Sequence, residues 1–194
     1  SGGWADTGAM NEITAPADGS FVAHIGKAGP AELNRAAAAA AAAQPGWAAT
    51  PAHLRAKILN AAADILEANG PELMPWIIRE TGSIPPKAGI EIEHSAGFLR
   101  AAATAAVEPA GRILPSQDGR HEEALRVPHG VVGVISPFNF PLILSVRAIA
   151  AALATGNTVV HKPDPRTPIT GGVIIARIFE EAGLPPNCLH IVPG

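Results

Sequence analysis

The sequence predicts an α/β chain: an N-terminal helical region, then the first half of a doubly wound parallel sheet, the two separated by a β-hairpin. Three observations predict it. Apolar residues recur at helical spacing between Pro30 and Val107, punctuated by Pro and Gly. The pattern breaks between Pro109 and Pro128, where two short runs flank Asp118-Gly119, a hairpin turn signal. From Gly130 onward, short apolar runs alternate with longer helical ones as strand, helix, strand, helix, strand. The expected units are residues 1–110, 111–129 and 130–194.

Taken in order, Asp18-Gly19 reads as a turn followed by a short strand ending near Ile25. Pro30-Ala31-Glu32 opens a helix, because Pro suits the first turn and a carboxylate favours the N-terminal dipole. It is expected to run through the alanine tract to Gln44 and stop at Pro45-Gly46. Thr50 is expected to cap a second helix whose apolar face carries Leu54, Ile58, Ala62, Ile65 and Leu66. Gly70-Pro71 ends it. A third helix is predicted from Pro71 to Thr81 and a fourth from Pro86 to Val107. Trp47 and Trp76 are expected to pack between helices.

Arg112–Leu114 and Glu123–Val127 then form the hairpin, a ribbon that is only half apolar and needs something to pack on. Val131–Ser136 reads as a parallel strand covered on both faces. Leu142–Ala154 is an apolar helix ended at Gly156, and Thr158–His161 is the second strand. Pro168–Ala182 is a helix with Thr167 as its cap and Gly183 as its stop, and Leu189–Val192 is the third strand. Three strands leave an open sheet edge, which suggests further chain.

Composition narrows the function classes. Hydrophobic residues make up 47% of the 194 and charged residues 16%, enough for a core. The net charge of -3 is spread out, with no basic cluster to follow a phosphate backbone, so no nucleic-acid partner is expected. No apolar run approaches a membrane span, and no signal peptide is visible, so the expected location is cytoplasmic. The single cysteine, Cys188, reads as a buried structural thiol, and the seven His residues lack metal-ligand spacing.

Ligands of an open parallel sheet sit beyond the carboxyl ends of its strands. Ser136-Pro137-Phe138-Asn139-Phe140-Pro141 lies at such an end. Two prolines fix the turn, and a rigid Asn139 amide suits a developing oxyanion. Asn is also a common turn residue, so closing the turn is the competing role. Lys162 ends the second strand, where it can reach a ribose hydroxyl or phosphate, or simply face solvent. Asp164 and Arg166 can contact the adenosine ribose or a 2′-phosphate, or only flank a helix start. Gly130-x-x-Gly133 precedes its strand and is no dinucleotide fingerprint.

These segments carry a resemblance. SPFNFPL, ALATGNTVVHKPDPRTP and EEAGLPPNCLHIVPG, in order and correctly spaced, resemble signatures of the NAD(P)-dependent aldehyde dehydrogenases, and QPGWAATPAHLRAKILNAAADILEANGPEL resembles that family's first long helical region. The likeness covers nearly all of the chain beyond Ile13, and the fold it implies is aldehyde-dehydrogenase-like. It implies that Asn139 holds the oxyanion of a thiohemiacetal. Ile135, Ser136, Pro137 and Phe138 would line the nicotinamide side of the groove, and Lys162 would bond the adenosine ribose. Phe140 and Ile143 would border the aldehyde tunnel. The hairpin corresponds to part of an oligomerisation ribbon, which implies a homodimer or homotetramer.

Three departures accompany it. The position three residues after Lys162, acidic in many members, is Pro165, which leaves NAD and NADP both open. A common Trp-Lys pair is replaced by Arg147-Ala148. The family's catalytic domain, with its cysteine nucleophile and glutamate base, lies outside these 194 residues. The helix after the Asn turn and the KPDPRTP loop look most like the benzaldehyde and related aromatic-aldehyde members. The expectation is therefore an N-terminal portion of an enzyme that oxidises an aldehyde to the acid with NAD(P)+. The alternatives are a CoA-acylating semialdehyde dehydrogenase, a non-catalytic binding or oligomerisation module, and a half-site dinucleotide binder.

Overall fold

The computed structural model describes residues 3–194; the first two residues of the expected N-terminal unit lie outside the described residues. The Asp18-Gly19 turn joins two strands where one was expected. Strand β1, Met10–Thr14, pairs antiparallel with β2, Phe21–Gly26. Gly19 takes φ +72°, and the Asp18 carboxylate accepts the Ser20 N–H at 2.9 Å.

Helix α1 spans Pro30–Ala49 and passes straight through Pro45-Gly46, the expected stop. Its last turn is pinned from outside. Trp47 is 2% exposed, and its indole N–H donates to the Leu153 carbonyl at 3.0 Å. An interior proline costs roughly 3 kcal/mol. Burying about 200 Å² of a Trp side chain gains up to about 5 kcal/mol. Tertiary docking therefore overrides the local signal. Thr50 does not cap the next helix. It is the C-terminal cap of α1, and its hydroxyl donates back to the Gly46 carbonyl at 3.1 Å.

Helix α2, Ala52–Ala68, buries Leu59, Ala62, Ala63 and Leu66, while Leu54 stays exposed, so the apolar stripe is rotated from the expected one. Helix α3 spans Gly70–Thr81 and α4 spans Pro85–Ala106, both close to expectation. Trp76 is exposed and does not pack between helices. Strands β3, Gly111–Leu114, and β4, Glu122–Leu125, form the antiparallel hairpin, and Gly119 supplies the positive φ its turn needs.

Strand β5 is Val131–Ile135, helix α5 Pro141–Ala154, strand β6 Thr158–Lys162, helix α6 Ile174–Glu181 and strand β7 Leu189–Ile191. The three strands are parallel in the order β5-β6-β7. Central β6 is covered on both faces, with Thr158 to His161 all buried. Val160 packs with Val192 against Ala36 and Ala40 of α1, where small side chains allow close approach. Val159 points the other way into the main core with Leu142, Val146 and Leu153 of α5.

Strand β5 differs from expectation. Val134 is buried, but Val131 is exposed and Ile135 is 84% exposed. One face of β5 is thus open at its carboxyl end, because α1 lies mainly against β6. The helix predicted over Pro168–Ala182 begins with a π turn, Ile169–Val173, before α6. Gly171 and Gly172 make that turn possible: a Cβ on Gly172 would stand 2.9 Å from Ile191 and 3.1 Å from Pro163, and one on Gly171 3.3 Å from Pro141. The buried His161 ring holds it, with Nε2 2.7 Å from the Gly171 carbonyl. Thr167 is not the expected cap, since its buried hydroxyl has no partner among the described residues. No helix among them is long and apolar enough to cross a membrane.

Candidate active site at the strand ends

The open end of β5 and the end of β6 form one ledge. Ile135 and Lys162 are register partners, so both side chains emerge on the same face at the carboxyl edge of the sheet. Beyond Ile135, Pro137, Phe138, Asn139 and Phe140 are all exposed, an unusual concentration of apolar surface flanking one amide. The Asn139 side chain makes no hydrogen bond among the described residues and is available to a ligand. Ser136 is turned inward: it is buried, its hydroxyl accepts from Ser145 at 2.7 Å, and its N–H donates to the Lys162 carbonyl at 3.3 Å. Only its backbone borders the ledge. Ile143 is also buried, on α5, one turn beyond Phe140.

The second turn runs from Lys162 to Pro168. The Lys162 ammonium donates to the Gly194 carbonyl at the end of the chain. Asp164 and Arg166 engage each other in a two-point ion pair, Nε to Oδ1 and Nη2 to Oδ2, both 2.8 Å. That guanidinium holds the Asp164 carboxyl below the usual carboxylate range. Arg166 also stacks on Phe138, its Cζ 3.5 Å from the ring centroid. The structure thus brings the first turn and the second together through Phe138 and Arg166. Arg147, where a Trp is common in the resembling family, lies 5.9 Å from the Phe98 ring.

Two residues that sequence reasoning missed hold these turns. Glu91 of α4 is fully buried; its Oε2 accepts the Leu142 N–H at 2.9 Å and its Oε1 lies 2.5 Å from the Lys87 ammonium. Glu80 of α3 is 2% exposed; its two oxygens accept the N–H groups of Ile169 at 2.7 Å and Thr170 at 2.6 Å. Each carboxylate satisfies orphan amides at a helix start that has no cap of its own. The available signal was a glutamate within an apolar stripe: Glu80 three residues after Ile77, and Glu91 three after Ala88.

The chemistry of these residues suits a nicotinamide dinucleotide. Ile135 and Phe138 leave an apolar ledge for a flat ring, and Lys162 with the Asp164–Arg166 pair supplies donors and an acceptor of the kind that hydroxyls and phosphates require. Cys188 is 1% exposed and burial pushes its thiol up to about 11, which disfavours the thiolate that a nucleophile needs. No cluster able to hold a metal ion occurs among the described residues.

Comparison with known proteins identifies the family and the fold. The description "Aldehyde dehydrogenase family" matches residues 4–194. Vanillin dehydrogenase of an Amycolatopsis strain is 51% identical over 94% of this chain and 37% of its own length. The crystal structure of an NAD-dependent benzaldehyde dehydrogenase from Corynebacterium glutamicum superposes with a TM-score of 0.94 at 44% identity, covering 99% of this chain and 42% of that one. An NADP-dependent glyceraldehyde-3-phosphate dehydrogenase from Bacillus halodurans, solved with NADP, gives a TM-score of 0.93 at 34% identity, over 100% of this chain and 42% of that one. The chain spans about two-fifths of the length of these relatives.

Proposed function

The chain belongs to the aldehyde dehydrogenase family, and we propose that the protein carrying it oxidises an aromatic aldehyde to the carboxylic acid with NAD or NADP. The observation that carries the reading is the exposed Asn139 amide, fixed between Pro137 and Pro141 at the open carboxyl end of β5. The 51% identity to a vanillin dehydrogenase supports the aromatic class.

In this reading Asn139 donates a hydrogen bond to the aldehyde oxygen as it gains negative charge under attack by a thiolate outside these residues. The nicotinamide, when bound, accepts hydride. Ile135, Pro137 and Phe138, with the backbone of Ser136, exclude water from its ring. Lys162 exchanges the Gly194 carbonyl for a ribose hydroxyl. Phe140 and, beneath it, Ile143 shape the aldehyde side. Asp164 and Arg166 set the choice at the ribose 2′ position: paired as they stand, Asp164 neutralises the guanidinium that a 2′-phosphate needs while its Oδ2, which accepts one bond only among the described residues, keeps a lone pair for a ribose hydroxyl, which favours NAD.

The division into residues 1–110, 111–129 and 130–194 follows the same reading. Ile113, Leu125 and Val127 are exposed apolar residues on or beside the hairpin, which supports a homodimer or homotetramer built on it.

The test is an assay of the full-length protein with benzaldehyde and vanillin, each with NAD+ and NADP+. The expected result is free carboxylic acid and reduced cofactor without added CoA. A thioester formed only when CoA is present, or no oxidation at all, overturns it.

A further inference from the structure

Glu91 does more than neutralise a lysine. From α4 its carboxylate reaches one residue past the start of α5, to the Leu142 N–H at 2.9 Å. The Lys87 ammonium it holds stands 4.7 Å from the centroid of the Phe140 ring. The pair therefore grips the chain on both sides of Pro141, through the backbone at 142 and the ring at 140. Asn139 is the next residue out.

The Asn139 side chain makes no hydrogen bond among the described residues, so its position follows that of the turn that carries it. Prolines at 137 and 141 restrict φ but cannot set where the whole turn sits relative to the helices. The buried carboxylate can, because it joins two helices through one amide and one cation. Full burial makes the arrangement strict: without Lys87 the charge has no partner, and without Glu91 the Leu142 N–H has none.

We propose that the Lys87–Glu91 pair positions the Asn139 amide for catalysis; this rests on the reading of Asn139 as the oxyanion donor. Neither residue touches the reacting atoms. They act through the position of the turn, and displacement of a catalytic group by about 1 Å costs roughly 10²-fold in rate.

The experiment is a double-mutant cycle in the full-length enzyme, with benzaldehyde as substrate. Glu91→Ala is expected to lower kcat by roughly 10²-fold, with NAD+ affinity, read by fluorescence quenching, close to wild type. In the Asn139→Ala background the same substitution should add almost no further loss, since there is no amide left to position. Glu91→Gln retains an acceptor for the Leu142 N–H and should restore most of the rate. If Glu91→Ala does not fold, Lys87→Met replaces it, with a smaller loss that again vanishes beside Asn139→Ala. Losses that multiply, or a Glu91→Ala enzyme at the wild-type rate, overturn the positioning role alone. An Asn139→Ala enzyme as fast as wild type overturns the oxyanion role, and the positioning role with it.

Discussion

Two strand-to-helix turns stand side by side at the carboxyl edge of the sheet, residues 136–141 after β5 and 163–169 after β6. Both end at a helix start whose amides are met by a buried glutamate from the N-terminal helices, Glu91 for the first and Glu80 for the second. The differences are in charge and exposure. Glu91 binds one amide and a lysine; Glu80 binds two amides and pairs with no Lys or Arg among the described residues. Residues 137–140 stay exposed, whereas Thr167, Pro168, Ile169 and Thr170 are buried. The same device thus serves stability in one turn and, in the other, also holds an exposed amide in place. It has a second consequence. A free helix N-terminus is a ready phosphate seat, but here both starts are already engaged by carboxylates, so neither offers that seat.

The sharpest way to break the comparison is to remove each glutamate in turn. Glu80→Leu strands two buried N–H groups and should destabilise by roughly 2–6 kcal/mol, taking about 1–3 for each. Glu91→Leu strands one and frees Lys87, whose partly exposed side chain can turn to solvent, so it should destabilise by roughly 1–3 kcal/mol, with a larger loss of kcat than Glu80→Leu. Denaturant unfolding of both variants checks the ranking. Equal losses of stability would mean that the two turns do not differ as described.

The next effect is on pH dependence. Burial pushes the Glu80 carboxyl above its ordinary 4.5, against the amide hydrogen bonds that pull it down. A carboxyl raised in the folded state binds more protons folded than unfolded. Its contribution is therefore fully present below pH 4.5 and is lost as pH rises through the folded value. Glu80→Gln should flatten that fall in the unfolding midpoint across the window above pH 4.5. An unchanged slope would place the titration elsewhere.

A smaller effect concerns cofactor choice at the second turn. Asp164→Asn frees Arg166, and the ratio of kcat/KM for NADP+ over NAD+ should rise by roughly tenfold or less, since the pair is partly exposed and screened. A fall in that ratio would remove the pair from cofactor selection. Smallest of all, Cys188 should react with a thiol reagent only after unfolding. Rapid modification of the native protein would show that the β7 end is open.

Much of this architecture was legible locally. The boundaries of α3 and α4, the hairpin around Asp118-Gly119 and the alternation from Val131 onward follow from short-range patterns. The Asn139 turn was legible too, because the two prolines that bound it lie within five residues of each other. What was not legible depends on distant partners. Pro45 reads as a stop until Trp47 finds the Leu153 carbonyl 106 residues away. Glu91 and Glu80 read as ordinary helix glutamates because the amides they serve lie 51 and 89–90 residues further on. The Val131–Ile135 run reads as covered on both faces, yet nothing among the described residues covers Ile135.

Asn139 is the residue on which the proposed chemistry turns. The direct measurement is kcat of Asn139→Ala against wild type in the full-length enzyme, per folded active site, with benzaldehyde and saturating NAD+. The expected result is a loss of roughly 10²–10³-fold with cofactor affinity retained. A variant turning over within a few-fold of wild type would contradict it and leave Asn139 as the residue that closes a turn.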